Sequence, residues 1–441
     1  CGIGGLYYVL DYNQGIWATT GQIEALGWLA VALVIFTTWK PLNAIWGSYL
    51  FGLLYWLYQF LPTLLHISVP GYVTDLIQMV PYLVTIVVLV VVLIVLAVNL
   101  VRYFTRSRSI GVYSLPCFAH QDVTVFRDGV VYYDGESIHC VGATGTVLWS
   151  YPVGSGASFS VSDKYLIAWS GTQLFIVNEN GRPTYNEPMT SEIQFARIGN
   201  TRAVIVLGDE INPEVMMVDL NGQLLDSEKG VFEGKMLLDC GFFGTGEEYC
   251  WTLSADVYSP ALATYLHTFQ VNKMNTGNVN LGDHLVYKVF YTGSKLYVFD
   301  TQQLTTYDYR GVQDTSGSQL IYGWRLMNHS LSARGTPQML FAPTNQTSSE
   351  MAITELRVLA GSVDNHITLP TTCVGAAIDS RRIYAFSPTY LFTSTLESQR
   401  FVAYAASLPD GRSVTSLIGI TSGGYAIVTS GTEVYSITLP Q

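Results

Sequence analysis

Charge is scarce in this chain and unevenly spread. Lys, Arg, Asp and Glu make up 12% of the 441 residues, and the run at 79–101, MVPYLVTIVVLVVVLIVLAVNLV, contains none of them. A stretch of that length at 1.5 Å per residue matches a hydrocarbon core of about 30 Å, and a soluble core helix rarely needs it. Basic residues are fewer than acidic ones, 22 against 33, which argues against nucleic acid as a partner because phosphate binding rests on Lys and Arg. No G-x-x-x-x-G-K-[ST] pattern occurs, so the chain does not supply an ATPase. The seven histidines form no H-x-x-x-H or H-E-x-x-H pair, and no G-x-S-x-G elbow is present. No two cysteines are adjacent, and the first residue is Cys1 rather than Met. With no room for a cleavable signal peptide, the start reads as a truncation within a longer membrane protein.

What is present falls into two parts. Residues 1–109 carry Lys40, Arg102, Arg106 and Arg108 against Asp11, Glu24 and Asp75. The rest holds the remaining charge, an excess of twelve acidic residues. Three apolar stretches precede 79–101: the partial IGGLYYVL at 3–10, then 22–39 and 41–62. Trp39, Trp46, Trp56 and Tyr58 fit interfacial belts, and Gly47 and Gly52 suit close helix approach. The expectation is an N-terminal α-helical transmembrane bundle of three spans plus a partial one over 1–109, in a bacterial cytoplasmic membrane, with the lipid bilayer as a partner. Two spans separate Lys40 from the three arginines, so both charged loops share a side, the cytoplasm by the positive-inside rule.

Gly27, Phe36, Trp39, Pro41, Gly47, Phe51 and Gly52 lie within ALGWLAVALVIFTTWKPLNAIWGSYLFG. This stretch resembles the C-terminal part of an ABC importer permease of the branched-chain amino acid, simple sugar and nucleoside type, and the likeness covers residues 1–93. The resemblance implies uptake of a small polar solute by a larger parent, because further spans and the ATPase-coupling loop are missing here.

After Arg108 the periodicity changes to short alternating runs bounded by Gly, Asn and Asp. DVTVFRDG, VVYYDG, ESIHCVGATG and TVLWSYPV read as four strands, with turns expected at Asp128-Gly129, Asp134-Gly135 and Thr144-Gly145. The same grammar recurs every 35–50 residues or so, the spacing of β-propeller blades. First strands are expected near residues 122, 157, 192, 235, 285, 337, 374 and 414, giving eight blades over 110–441 (alternatively seven). The last unit has three strands, and GVYSLP at 111–116 is expected to supply its fourth and close the ring.

Gly145, Trp149 and Tyr151 in IHCVGATGTVLWSYP, with turn glycines Gly181 and Gly222 further on, carry a second likeness. Residues 112–440 are similar to PQQ-like repeat propellers of the membrane-anchored, assembly-lipoprotein-like type. That resemblance implies a non-enzymatic docking module outside the cytoplasm, opposite to the side the arginines indicate. Two gene fragments joined within 79–101 would produce this conflict. Asp128, Asp134, Asp163 and Asp219 fall at turn positions and read as turn caps rather than a calcium set. Cys240 and Cys250 flank the hairpin CGFFGTGEEYC and are candidates for a disulfide in an oxidising compartment. No catalytic residue, cofactor or metal is expected. Two readings remain: a membrane-anchored protein-interaction platform with envelope or transporter partners, and a fragment or fusion of a permease with the propeller as accessory domain.

Overall fold

The structure, a computed structural model, describes residues 7–12, 14–15, 45–49, 52–53, 60, 86, 90–91, 94–95 and 97–98, and residues 110–440 except 245, 274, 293, 332–334 and 345–351. The chain divides into two compact units, Cys1–Ser107 and Arg108–Gln441. In the first, Tyr8–Tyr12 forms a π-helical turn and residues 45–49 are helical. The expected membrane bundle is not supported. A span needs about 20 apolar residues in one helix, and no helix among the described residues is long and apolar enough to cross a membrane. The multi-pass location and bilayer partnership inferred from that bundle lose their basis with it. Most of 22–39, 41–62 and 79–101 lies outside the described residues.

The second unit is an all-β propeller of eight four-stranded antiparallel sheets. Blade 1 comprises Val123–Phe126, Gly129–Tyr133, Ser137–Gly142 and Val147–Pro152. The first strands of blades 2 to 8 are Ser158–Val161, Ile193–Ile198, Met236–Phe243, Lys288–Thr292, Trp324–Leu331, Gly375–Ile378 and Ser416–Ile420. First strands of adjacent blades lie against one another at six of the eight seams, so the first strands form the inner wall. Seven of the eight starts lie within three residues of the sequence expectation. The sixth does not, because Pro337–Pro343 is the second strand of its blade. The true first strand, WRLMNHSL, has no fully buried residue and lacks the apolar alternation that marks a strand in sequence.

Blade 8 takes its outer strand from the other end of the unit. Val112–Phe118 pairs antiparallel with Glu433–Thr438, with Val112 opposite Ile437 and Ser114 opposite Tyr435. Eight apolar clusters fill the eight seams between neighbouring blades. Across the closing seam Val130 and Val141 of blade 1 meet Ile427 and Val434 of blade 8, all fully buried. Each such side chain stabilises the fold by about 1.5–3 kcal/mol. The hairpins joining strands one to two and three to four lie on one face of the ring, here the hairpin face. The turns joining strands two to three, and the links between blades, lie on the other, the connection face.

A second contact locks adjacent blades. The turn before the outer strand carries a residue with positive φ that rests on the outer strand of the preceding blade. In blade 2 this is Gly181 (φ 75°), where a Cβ would stand 2.6 Å from the Trp149 ring. Trp149 also donates its indole N–H to Glu179 O at 3.0 Å. Gly222 rests in the same way on Tyr185, and Gly311 on Val279. In blade 4 the position is Asn272 (φ 64°), whose N–H donates to Asp226 of blade 3. Asn178, Asp219 and Asp308 begin three of these turns, each Oδ1 accepting two backbone N–H groups.

Gly181→Ala places a Cβ both at positive φ and inside the Trp149 contact. It is expected to lower stability by about 2 kcal/mol or more, read as a shift in the denaturant midpoint. Gly171→Ala, also at positive φ but with open space around it, is expected to cost only about 1 kcal/mol. Equal losses would show that the ring contact contributes nothing.

Candidate functional site

The cysteines expected to pair are both free and buried. Cys240 lies opposite Thr252 and Cys250 opposite Phe242, so the thiols are diagonal neighbours on one face of adjacent strands. Diagonal positions stand about 7–8 Å apart, beyond the roughly 3.5–4.5 Å Cβ separation of a disulfide. Burial raises both thiols above their ordinary range. Cys117, Cys140 and Cys373 are pushed up to about 12 by the same cause. These are unreactive, packed thiols.

Asp134 and Asp219 cap turns as expected. The backbone N–H groups of Ser137 and Glu136, with His139, hold the Asp134 carboxyl down to about 2. His139 lies between Asp134 (2.6 Å from Nε2) and Ser150 (2.6 Å from Nδ1) and stacks on Tyr132. The order Asp–His–Ser resembles a nucleophilic relay, but the ring nitrogens are reversed relative to serine proteases. Ser150 is exposed on the outer strand of blade 1, and the arrangement acts as a brace between a turn and two strands. The remaining described histidines are dispersed. His284 faces Asp300, His329 stacks on Phe290, and His120 stacks on Phe118. No group of His, Cys, Asp and Glu among the described residues could hold a metal.

A cavity of about 520 Å³ opens on the hairpin face where the inner strands of blades 8, 1 and 2 end. Val125, Val161 and Ile420 form apolar lining, and Arg127, Asp163, Lys164 and Glu179 are its charged groups. Arg127 bridges to Glu179 of blade 2 at 2.7 Å. It occupies positive φ (52°) as the first residue of a two-residue hairpin loop. The Asp-Gly turn expected there therefore sits one residue earlier, at Arg127-Asp128. Gly129 is required for a different reason: a Cβ would collide with Val141 O on the next strand. Ser422 of blade 8 ties the same loop, its N–H donating to Arg127 O and its hydroxyl to Asp128. Two cations and two anions leave this cavity with no preference for ligand charge.

The connection face differs. From blade 3 to the step into blade 6 it exposes large apolar side chains in four of its six connections. Ile211 lies in blade 3 and Tyr258 (57% exposed) in blade 4. Leu285 (58%) links blades 4 and 5, and Leu320 (74%) and Tyr322 (80%) stand at the step from blade 5 to blade 6. These loops are fixed rather than loose. Asp256 caps the turn bearing Tyr258, Gly234 N–H donates to Ile211 O, and the Tyr287 hydroxyl accepts from Leu326 N–H. Sequence pattern does not separate exposed from buried tyrosines at these positions, because loop residues carry no periodicity.

The geometry defines an eight-bladed β-propeller closed by its own terminal strands. No family model matches the chain, so membership of the PQQ-like family is not shown. A 53-residue stretch is 43% identical to the putative glucose ABC transporter permease protein TsgC13 of Haloferax volcanii, covering 12% of this chain and 16% of that protein. The chain thus spans about a sixth of the curated relative it matches. Among solved structures, the WD40 domain of SCAP from fission yeast is similar at 6% identity with a TM-score of 0.49, covering 75% of this chain and 98% of that one. The Pan2 WD40 domain of Neurospora crassa is similar at 7% identity with a TM-score of 0.44, covering 75% and 96%. The blade count rests on the strand pairing itself, not on these likenesses.

His267, 1% exposed, sits on the blade 4 face turned to blade 3, opposite Thr252 and beside Phe232 and Phe269. Its Nδ1 and the hydroxyls of Thr252 and Ser254 have no partner. Burial, with nearby Lys235, pushes the imidazole down to about 4. The unfolded chain, with an ordinary value near 6.5, then binds the proton first. Stability is fully present above about pH 6.5 and falls as pH drops toward 4. At pH 5 the loss from this group is ~2 kcal/mol. His267→Phe is expected to flatten the unfolding midpoint between pH 7.5 and 5 by that amount. An unchanged slope in the variant would remove His267 as the cause.

Proposed function

We propose that this chain is a non-enzymatic protein-interaction platform whose connection face on blades 3 to 6 receives a partner. The observation that carries the reading is the exposure of Tyr258, Leu285, Leu320 and Tyr322 in connections of neighbouring blades on one face of the ring. Scattered surface apolar residues need no explanation, but a contiguous sector of them is costly in water and marks an interaction site. Aromatic side chains are also favoured anchors at interfaces, since they bury much area for few rotors. The propeller suits this task because its seams fix the loops while leaving their sequences free.

A second reading is favoured by one observation, the 53-residue match to a putative glucose permease. In it, a piece of permease-type sequence carries the propeller as an accessory domain to sugar uptake. The two readings are compatible if the partner belongs to a transporter.

A photo-crosslinking amino acid placed at Tyr322 or Tyr258 in the full chain is expected to give a discrete adduct in cells, while the same residue at Ser380 on the hairpin face gives none. Absence of adducts from both connection-face positions, or equal adducts from Ser380, would refute the platform reading.

A further inference from the structure

The brace on blade 1 joins three groups whose order carries chemistry as well as support. Its two outer strands pair with Ser137 opposite Pro152 and His139 opposite Ser150. Val153 N–H donates to Glu136 O at 3.0 Å, so bonded pairs alternate from there and His139–Ser150 falls on an unbonded one. Unbonded pairs bring side chains closest, which sets the Ser150 hydroxyl 2.6 Å from His139 Nδ1. The same register turns the backbone N–H of Ser150 away from its partner strand, toward the open edge of the blade. On the far side of the ring, His139 Nε2 stands 2.6 Å from Asp134 Oδ2. The N–H groups of Ser137 and Glu136 hold Asp134 Oδ1, and its carboxyl, pushed down to about 2, is ionised at neutral pH. An ionised carboxylate only accepts, so Nε2 carries the ring proton and Nδ1 presents its lone pair to the Ser150 hydroxyl. Tyr132 stacks on the ring and fixes its plane.

We propose that Ser150 is an acyl acceptor, a nucleophile that uses His139 as its base and takes the acyl group of a small activated carboxylic ester. The Ser150 oxygen attacks the carbonyl carbon while its proton passes to Nδ1. A new C–O bond forms, the bond to the leaving alcohol breaks, and the proton moves from Nδ1 to the leaving oxygen. The outward N–H of Ser150 is a donor for the carbonyl oxygen as that atom gains charge. Asp134 is a positioning residue, since it fixes the tautomer that leaves Nδ1 basic. Serine proteases use Nε2 as the base, but on a neutral imidazole the base is whichever nitrogen lacks the proton. Ser150 is exposed, and so are Val147 and Leu148 on the same strand, which favours an acyl group of apolar character. Once acylated, Ser150 has no hydroxyl proton to donate to His139, so the modification also releases one arm of the brace. This inference goes beyond the platform reading and is independent of it: the product is a modified chain, and no residue of the apolar sector takes part.

The test treats the full chain with p-nitrophenyl butyrate and locates the butyryl group by peptide mass spectrometry. The adduct is expected on Ser150, forming about 100-fold or more faster than on Ser191, an exposed serine with no histidine beside it in sequence. Ser150→Ala should remove that adduct. His139→Gln should slow it by about 100-fold. Asp134→Asn keeps an oxygen to cap the turn but no longer fixes the tautomer, and should slow it by about tenfold or more. Melting of each variant is read alongside, so that slow labelling of a folded variant reports the chemistry and not misfolding. Labelling of Ser150 no faster than Ser191, or as fast after unfolding in urea as before, would overturn the proposal. Both readings come from the unaltered chain and decide the matter even if a variant unfolds. An unchanged rate in folded His139→Gln would overturn it too.

Discussion

Everything in the propeller depends on the pairing of Val112–Phe118 with Glu433–Thr438. A propeller blade cannot bury both its faces alone, so each needs two neighbours. An open ring would leave the first and last blades with exposed apolar faces and an unpaired sheet edge, a template for aggregation. Borrowing one strand from the other end of the unit completes the eighth blade. The same act joins the ends through backbone hydrogen bonds, among them Ala119 N–H to Thr432 O and Thr438 N–H to Gly111 O. The eight seams then bury side chains cooperatively, because removing one blade exposes two others.

The seams are reinforced by the turn-to-strand contact seen at Gly181 on Trp149 and Gly222 on Tyr185. This device asks little of the sequence: an Asn or Asp to begin the turn, a residue tolerant of positive φ, and something flat or small beneath it. Under the Gly311 turn of blade 5, Val279 of blade 4 fills the role of the ring, and in the blade 4 turn Asn272 fills that of the glycine. The chemistry can therefore drift while the geometry is kept.

That drift explains which parts of the fold were legible in the sequence. Blade number, the closing strand and seven of the eight first strands could be read from alternation and turn residues. The missed strand, Trp324–Leu331, faces the inner wall with few buried side chains, and so lacks the pattern that reading relies on. The turn at Arg127-Asp128 was displaced by one residue because a glycine next to an aspartate suggests a turn. Gly129 serves instead a close approach to Val141 O, which only three-dimensional contact shows. The helical membrane bundle drawn from 22–39, 41–62 and 79–101 finds no spanning helix among the described residues. Of the candidate site, Cys240 and Cys250 were named for their spacing, but register decides the matter and sets them diagonally. The apolar sector was out of reach, since Tyr258, Leu285 and Tyr322 lie in connections whose side follows from topology alone.

Closure also gives the faces their distinct roles. A rigid ring fixes the connection loops in space, so Ile211, Tyr258, Leu285 and Tyr322 can act together although 111 residues separate the first from the last. Hydrogen exchange of the intact chain tests this dependence most directly. Peptides covering Val112–Phe118 should be protected to the same degree as Glu433–Thr438 and should open with them as one unit in denaturant. Exchange of the 112–118 amides at the rate of an unfolded chain, while 433–438 stays protected, would contradict a ring held by its own ends.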